Sequence, residues 1–376
     1  MEKTGIYVHI PFCREKCKYC DFVSFPNREE VYESYINTLI KELDNTDILN
    51  EVEISTIFFG GGTPSILPPF YIKKVMDRLL RLKVAKNAEI TIEANPESLT
   101  PEKLKEYKNA GINRLSIGLQ AWQDNLLEKL GRVHRRVDFL QALNWAKKAG
   151  FNNINVDLMF AIPGQKFSDW EETLNEVTAL NVSHISAYSL ILEENTPFYE
   201  EYKKGEICLV DEELDRDMYH LTDKILFGKN FKKYEISNYS LSDFYSAHNV
   251  SYWERTNYLG FGLAAHSLYN NERYSNTEDL TAYIKAGGDL SRLRISSHTL
   301  SLNEQMEEFM FLGLRLTKGV KEEDFYKLFH TKIDLVYLGV IDKHIKSGLL
   351  IRENGSIYLS EKGFDLANMV MADFLF

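Results

Sequence analysis

The chain has 376 residues, 44% hydrophobic and 26% charged, enough for one large globular domain and a smaller one. A formal charge of −11 argues against nucleic acid as the main partner, because phosphate binding needs a basic surface. No cationic-plus-apolar leader opens the sequence and no apolar run nears ~20 residues, so a cytoplasmic protein without a membrane span is expected.

Taken in order, residues 5–10 alternate as a strand, and a cysteine-rich loop follows. Residues 29–43 carry Val31, Tyr35, Leu39 and Leu43 at helical spacing. Residues 54–59 read as a β-branched and aromatic strand running into Gly60-Gly61-Gly62. A helix is expected over 69–82, then a strand over 89–94 closed by Asn95-Pro96. Thr100 and Pro101 open the next helix, and Gly111 ends it. Strands over 115–119, 154–160 and 184–192 alternate with helices over 138–148 and 168–180. Six such alternations call for parallel strands with right-handed crossovers. Periodicity alone does not separate an open sheet from a barrel. The cysteines, the glycine run, Glu93, Gln120 and Asp157 all fall near C-terminal strand ends, which favours a partial (β/α)6 TIM-like barrel.

The pattern changes after residue 192. We expect the barrel and its extension to occupy 1–245, and an aromatic, glycine- and histidine-rich connecting segment 246–300. A mostly helical, winged-helix-like domain then fills 301–376. Its hairpin turns at Asn354-Gly355, and a last helix covers 360–374. Acidic residues outnumber basic ones there, so the winged-helix look does not signal DNA.

Three of the four cysteines, Cys13, Cys17 and Cys20, stand at C-x3-C-x2-C, which suits a metal site in a reducing compartment better than disulfides. Soft thiolates suit an iron–sulfur cube, and three of them leave one iron open to an outside ligand. The alternative is zinc, with His9 or Asp21 completing a tetrahedron, although no second C-x2-C exists. Cys208 is expected to be a small buried or semi-buried filler. The glycine run is neither a P-loop nor a dinucleotide fingerprint, but it leaves backbone open to a close ligand. Glu93 and Asp157 interrupt apolar strands, where a carboxylate needs a donor or a cation, and Arg132 offers charge balance. His248, Asn249, Tyr252 and Trp253 form an H-N-x-x-Y-W segment. An imidazole there suits axial ligation of a flat macrocycle, although a histidine among aromatics more often simply packs.

YVHIPFCREKCKYCDF, FFGGGTPS, TIEANPE, LSIGLQ, LGRVH, VDLMFAIPGQ and HNVSYW run collinearly from the first strand to residue 253. This pattern resembles the heme chaperone HemW family of the radical S-adenosylmethionine superfamily, relatives of oxygen-independent coproporphyrinogen III dehydrogenase. The resemblance implies a 4Fe-4S cluster on Cys13, Cys17 and Cys20. It implies S-adenosylmethionine contacts from Tyr7, Gly61, Gly62, Thr63, Glu93, Gln120, Arg132 and Asp157, and heme binding at His248, Asn249, Tyr252 and Trp253. Heme would pass to an acceptor hemoprotein, a membrane respiratory protein met by peripheral membrane contact. The alternative it implies is a radical enzyme that oxidatively decarboxylates porphyrinogen propionates. The dehydrogenase pattern has a fourth cysteine where Phe22 stands here, and a long N-terminal extension, whereas twelve residues precede Cys13. Ala264 departs from the family, which often has glycine there.

Overall fold

A computed structural model describes residues 3–376. Six strands, β1 (Lys3–Ile10), β2 (Glu53–Gly61), β3 (Val84–Ala94), β4 (Arg114–Gln120), β5 (Asn153–Phe160) and β6 (His184–Ser189), lie side by side in that order, all parallel. Five helices cross between them: Tyr32–Asp44, Pro69–Leu79, Pro101–Asn109, Arg136–Lys148 and Phe167–Ala179. Each begins or ends close to where the sequence places it. Thr100, for example, caps its helix by accepting from the Lys103 amide.

Side-chain alternation gives the sheet two unlike faces. Ile6, Val8, Ile10, Ile57 and Phe59 are buried in one continuous core with helix residues such as Tyr35, Leu39 and Val75. The opposite face is polar. Thr56, Glu93, Ser116, Asn155, Asp157, His184 and Ser186 bond to one another or to neighbouring loops inside the curve of the sheet.

The sheet extends beyond the six expected strands. Residues read from sequence as a connecting segment supply β9 (Tyr258–Phe261), which pairs parallel with β1. β10 (His266–Tyr269), β11 (Glu272–Asn276) and β12 (Arg294–Thr299) then continue antiparallel. On the far side β8 (Asn238–Ser240) and β7 (Lys232–Glu235) add an antiparallel edge to β6. The result is one open twelve-stranded sheet, whose β7 edge is covered by an antiparallel bridge from Glu235 to Leu316 of the C-terminal module. Strands of three to six residues broken by glycine or asparagine carry too little alternation to be legible.

Residues beyond 300 build a core of their own, around Met310, Phe325, Tyr337, Ile341, Val370 and Phe374. Helices Leu302–Gly313, Glu322–Phe329 and Asp334–Lys346 pack with a three-stranded sheet of β13 (Val320–Lys321), β14 (Leu350–Glu353) and β15 (Ser356–Leu359). Asn354 and Gly355 both take positive φ (52° and 74°), as a tight two-residue hairpin requires. The Glu308 carboxylate joins this module to the large sheet, accepting from Arg255 (2.8 Å) and Arg273 (2.5 Å).

Several expectations need correction. The sixth strand stops at Ser189, the helix from Pro69 stops at Leu79, and the final helix breaks at Leu366 into Glu361–Asp365 and Ala367–Ala372. A short helix, Asp124–Lys129, was not foreseen. Cys208 is exposed, not buried: it lies in the irregular stretch after helix Pro197–Lys203, where neighbouring Ile207 does the packing instead. Among the described residues no helix is long and apolar enough to cross a membrane.

Ala264 sits at φ +56°, in the left-handed region, where a β-carbon costs about 1 kcal/mol. That accounts for a glycine preference at this position. Ala264→Gly is expected to raise stability by roughly 0.5–1 kcal/mol in chemical unfolding; a loss would mean that methyl packing outweighs backbone relief.

Candidate functional site

The cysteine loop rises from β1 and is pinned at its middle. The Lys18 amide donates to Leu130 O, and Lys18 O accepts from the Phe198 amide. Phe12–Cys13 pairs with Phe25–Pro26 to close its base. The glycine run at the end of β2 passes directly beneath. A β-carbon on Gly61, which has φ +113°, would lie 2.6 Å from the His9 ring; one on Gly62 would lie 2.7 Å from Phe12 O and 2.9 Å from Cys13 Sγ. Only glycine lets β2 and the loop approach this closely.

A chain of polar contacts ties two of the cysteines together. Thr63 Oγ1 donates to Cys13 Sγ (3.6 Å) and accepts from Asn95 Nδ2 (3.0 Å). Asn95 Oδ1 accepts from Arg132 (2.6 Å), whose other terminal nitrogen reaches Cys17 Sγ (3.4 Å). Sequence reasoning missed Asn95, because Asn-Pro reads as a turn; only the fold reveals it as the link.

A cavity of about 400 Å³ opens at the C-terminal ends of the parallel strands. Cys13, Cys17, Cys20, Gly61, Gly62, Thr63, Glu93, Gln120, Arg132 and Asp157 all border it. Gln120 ends β4 with φ +72°, a left-handed turn that marks local strain at the rim. Tyr7 lines a smaller inner cavity of about 210 Å³ that shares Gly61, Glu93 and Asp157 with the first. Ser116 and Tyr188 border both cavities and were not singled out from sequence. Phe22 also borders both, with its ring largely exposed.

The donor set discriminates between metal groups. Tyr7 OH bonds His9 Nδ1 (3.0 Å) and His9 Nε2 bonds Val23 O (2.9 Å), so both ring nitrogens are taken. Among the described residues no three His, Cys, Asp or Glu side chains converge tightly enough for a single ion. His9 would have to give up one of its two bonds to bind a metal. Burial pushes the Cys20 thiol up to about 11 and raises Cys13 as well, so metal binding must displace their protons. Three sulfurs round one cavity, with a hydroxyl and a guanidinium turned towards them, fit an iron–sulfur cluster.

The two carboxylates are unlike their solvated counterparts. Burial, and then the nearby Asp157 charge, push Glu93 up to about 8, against a bond from the Gly61 amide (3.2 Å). Burial also raises Asp157, although Asn155 (2.7 Å) and Ser116 (3.0 Å) donate to it. Such a pair is suited to hydroxyls or a cation that relieves its desolvation.

The H-N-x-x-Y-W segment forms helix Ala247–Trp253, and its four residues point to different places. His248 is buried; its Nδ1 meets Thr56 Oγ1 (2.8 Å), its Nε2 meets Tyr252 OH (2.8 Å), and its ring stacks on Phe58. Burial drives it down to about 3, so the ring is neutral. Axial ligation would require it to give up one of those bonds. Asn249 borders the inner cavity, while Trp253 faces the C-terminal module under the Arg315 guanidinium.

A curved parallel sheet bearing three cysteines and a glycine run at its C-terminal rim defines a radical S-adenosylmethionine protein, and the Radical SAM superfamily matches residues 7–177. The HemN C-terminal domain matches residues 300–366. Over 372 residues the chain is 38% identical to the heme chaperone HemW of Bacillus subtilis, covering 98% of each. It is 36% identical to that of Lactococcus lactis over 373 residues, covering 99% of this chain and 97% of the relative. The chain belongs to the heme chaperone HemW family. The solved coproporphyrinogen III oxidase HemN of Escherichia coli, a radical SAM enzyme, superposes with a TM-score of 0.86 at 22% identity. That match covers 99% of this chain and 90% of HemN, and it shows the shared fold.

A carboxyl with a raised native pKa holds its proton longer when folded than when unfolded. Glu93 therefore makes native stability fall as pH climbs from 4.5 to about 8, with no further loss above. Glu93→Gln is expected to flatten that decline in metal-free protein, read as denaturation midpoints at roughly pH 5 and roughly pH 9. Parallel pH profiles for the two proteins would show that Glu93 is ionised throughout.

Proposed function

We propose that this protein binds heme and delivers it to an acceptor protein. In this reading Cys13, Cys17 and Cys20 hold a 4Fe-4S cluster, and S-adenosylmethionine occupies the remaining iron. The observation that carries the reading is the end-to-end match to relatives named heme chaperone, with the three sulfurs converging on one cavity. When bound, the cluster and S-adenosylmethionine supply one-electron chemistry. The chain's own groups do the rest. Thr63 and Arg132 face Cys13 and Cys17 and offset thiolate charge. Gly61 and Gly62 leave room for a ligand's polar end, and Glu93, Gln120, Asp157 and, from the inner cavity, Tyr7 would hold its ammonium and hydroxyl groups. Heme binding belongs to the segment of His248, Asn249, Tyr252 and Trp253, at its Trp253 end, because His248 and Tyr252 are bonded to each other. The acceptor is a membrane respiratory protein, approached from the cytoplasm by peripheral contact.

Phe22 favours carrier over decarboxylase, because the dehydrogenase pattern has its fourth cysteine there. Serine at Cys13, Cys17 or Cys20 is expected to reduce bound iron and sulfide to background after anaerobic reconstitution, whereas Cys208→Ser keeps both. Iron retained in a variant lacking any one of the three would remove that cysteine from the ligand set. Reconstituted protein given heme should show a Soret band that moves to an apo-hemoprotein on mixing. Given reductant, S-adenosylmethionine and coproporphyrinogen III, it should yield no vinyl products. Vinyl products without a heme band would overturn the carrier reading.

A further inference from the structure

A second cleft, of about 490 Å³, lies between the end of helix Ala247–Trp253 and the C-terminal module, away from the cysteines and the glycine run. Trp253, Phe309 and Leu328 give it an aromatic and aliphatic wall, and Lys318, Lys321 and Lys327 stand round it. Lys318 answers Glu254, and Lys327 answers Glu323 and Asp324. Lys321 has no carboxylate within ion-pair distance among the described residues. The Arg315 guanidinium covers Trp253 at 4.3 Å from the ring centre, and the indole N–H is buried without a partner. Glu254 and Asp324 line the cleft as well and Arg255 pairs with Glu308, so Lys321 is the cation of the wall that no ion pair engages among the described residues.

Such a cleft recognises a flat apolar body that ends in carboxylates. The ring system gains from apolar burial, and the carboxylates gain from charge-assisted bonds. We propose that this cleft seats the tetrapyrrole, with the macrocycle against Trp253 and Phe309, one propionate at Lys321 and the other taking the place of Glu254 at Lys318. The inference rests on the heme reading above and narrows it, since Trp253 alone of the four motif residues borders this cleft. No His, Cys, Met or Tyr lines the cleft among the described residues. Iron therefore gains no strong axial ligand from its walls. A cargo held by its ring and its acids, with the metal left open, can be claimed by an acceptor that supplies the axial ligand.

The test is fluorescence titration of the full-length protein with metal-free protoporphyrin IX and with its dimethyl ester, beside absorbance titration with heme. Metal-free protoporphyrin is expected to bind within about threefold of heme and to be displaced by it, with the ester at least about tenfold weaker. Lys321→Glu and Trp253→Leu should each weaken both tetrapyrroles about tenfold. Lys332→Glu, an equal charge change on the same module outside the cleft, should leave them unchanged. Lys321 is exposed, so its variant keeps the test valid even where Trp253→Leu fails to fold. Heme binding that ignores both substitutions, or that requires iron, overturns the seat while sparing the carrier reading. Failure of the unaltered protein to bind any tetrapyrrole overturns the carrier reading itself.

Discussion

The close passage of Gly61 and Gly62 beneath the cysteine loop is the constraint from which the rest of the site follows. With a side chain at either position, β2 would collide with His9, Phe12 or Cys13, and the loop would have to lift away from the sheet. The contact works because His9 is itself fixed, by Tyr7 OH on one nitrogen and Val23 O on the other, so the ring forms a rigid stop. The loop is held at both ends and at its middle, which turns three flexible thiols into a preorganised set. Metal ligands placed before the metal arrives lose less entropy on binding it.

Inside the curve of the sheet the protein accepts an expensive arrangement. The half-buried carboxylates Glu89, Glu93 and Asp157, the buried Arg114 and the buried His184 and His248 share a space that an ordinary parallel barrel fills with aliphatic groups. Local donors reduce the cost: Asn155 and Ser116 serve Asp157, and three groups at the start of helix Ala247–Trp253 serve Glu89. Glu93 is the least served, with one amide donor and a like-charged neighbour. An unmet need of that kind, next to an open cavity, is where a polar ligand contributes most.

The helix that caps Glu89 also links the two ends of the molecule. Its His248 packs into the barrel on Phe58, while its Trp253 meets Arg315 of the C-terminal region. Arg315 in turn lies 3.8 Å from Glu235 on the sheet edge, and nearby Glu308 grips Arg255, just beyond the helix, and Arg273 of the large sheet. Contacts made at one end of this helix are mechanically close to the other, because the whole element is only seven residues long.

Local pattern was sufficient for much of this molecule. The six parallel strands, their helices, the Thr100 cap and the Asn354-Gly355 turn follow from hydrophobic spacing and from residues with few allowed conformations. The cysteine spacing and the glycine run were equally legible, because each is contiguous. Other features depend on residues brought together across long stretches of chain. Sequence could not extract β9 from a glycine-rich segment, since four residues acquire strand character only by pairing with β1. Nor could it find Asn95 between Thr63 and Arg132, the full occupation of His248, or the exposure of Cys208. By itself the sequence determined which chemical groups are present and which local shapes they adopt. The tertiary structure alone decided which of them are buried, which are already bonded and which face open space, because burial and partnership are properties of distant segments packed together.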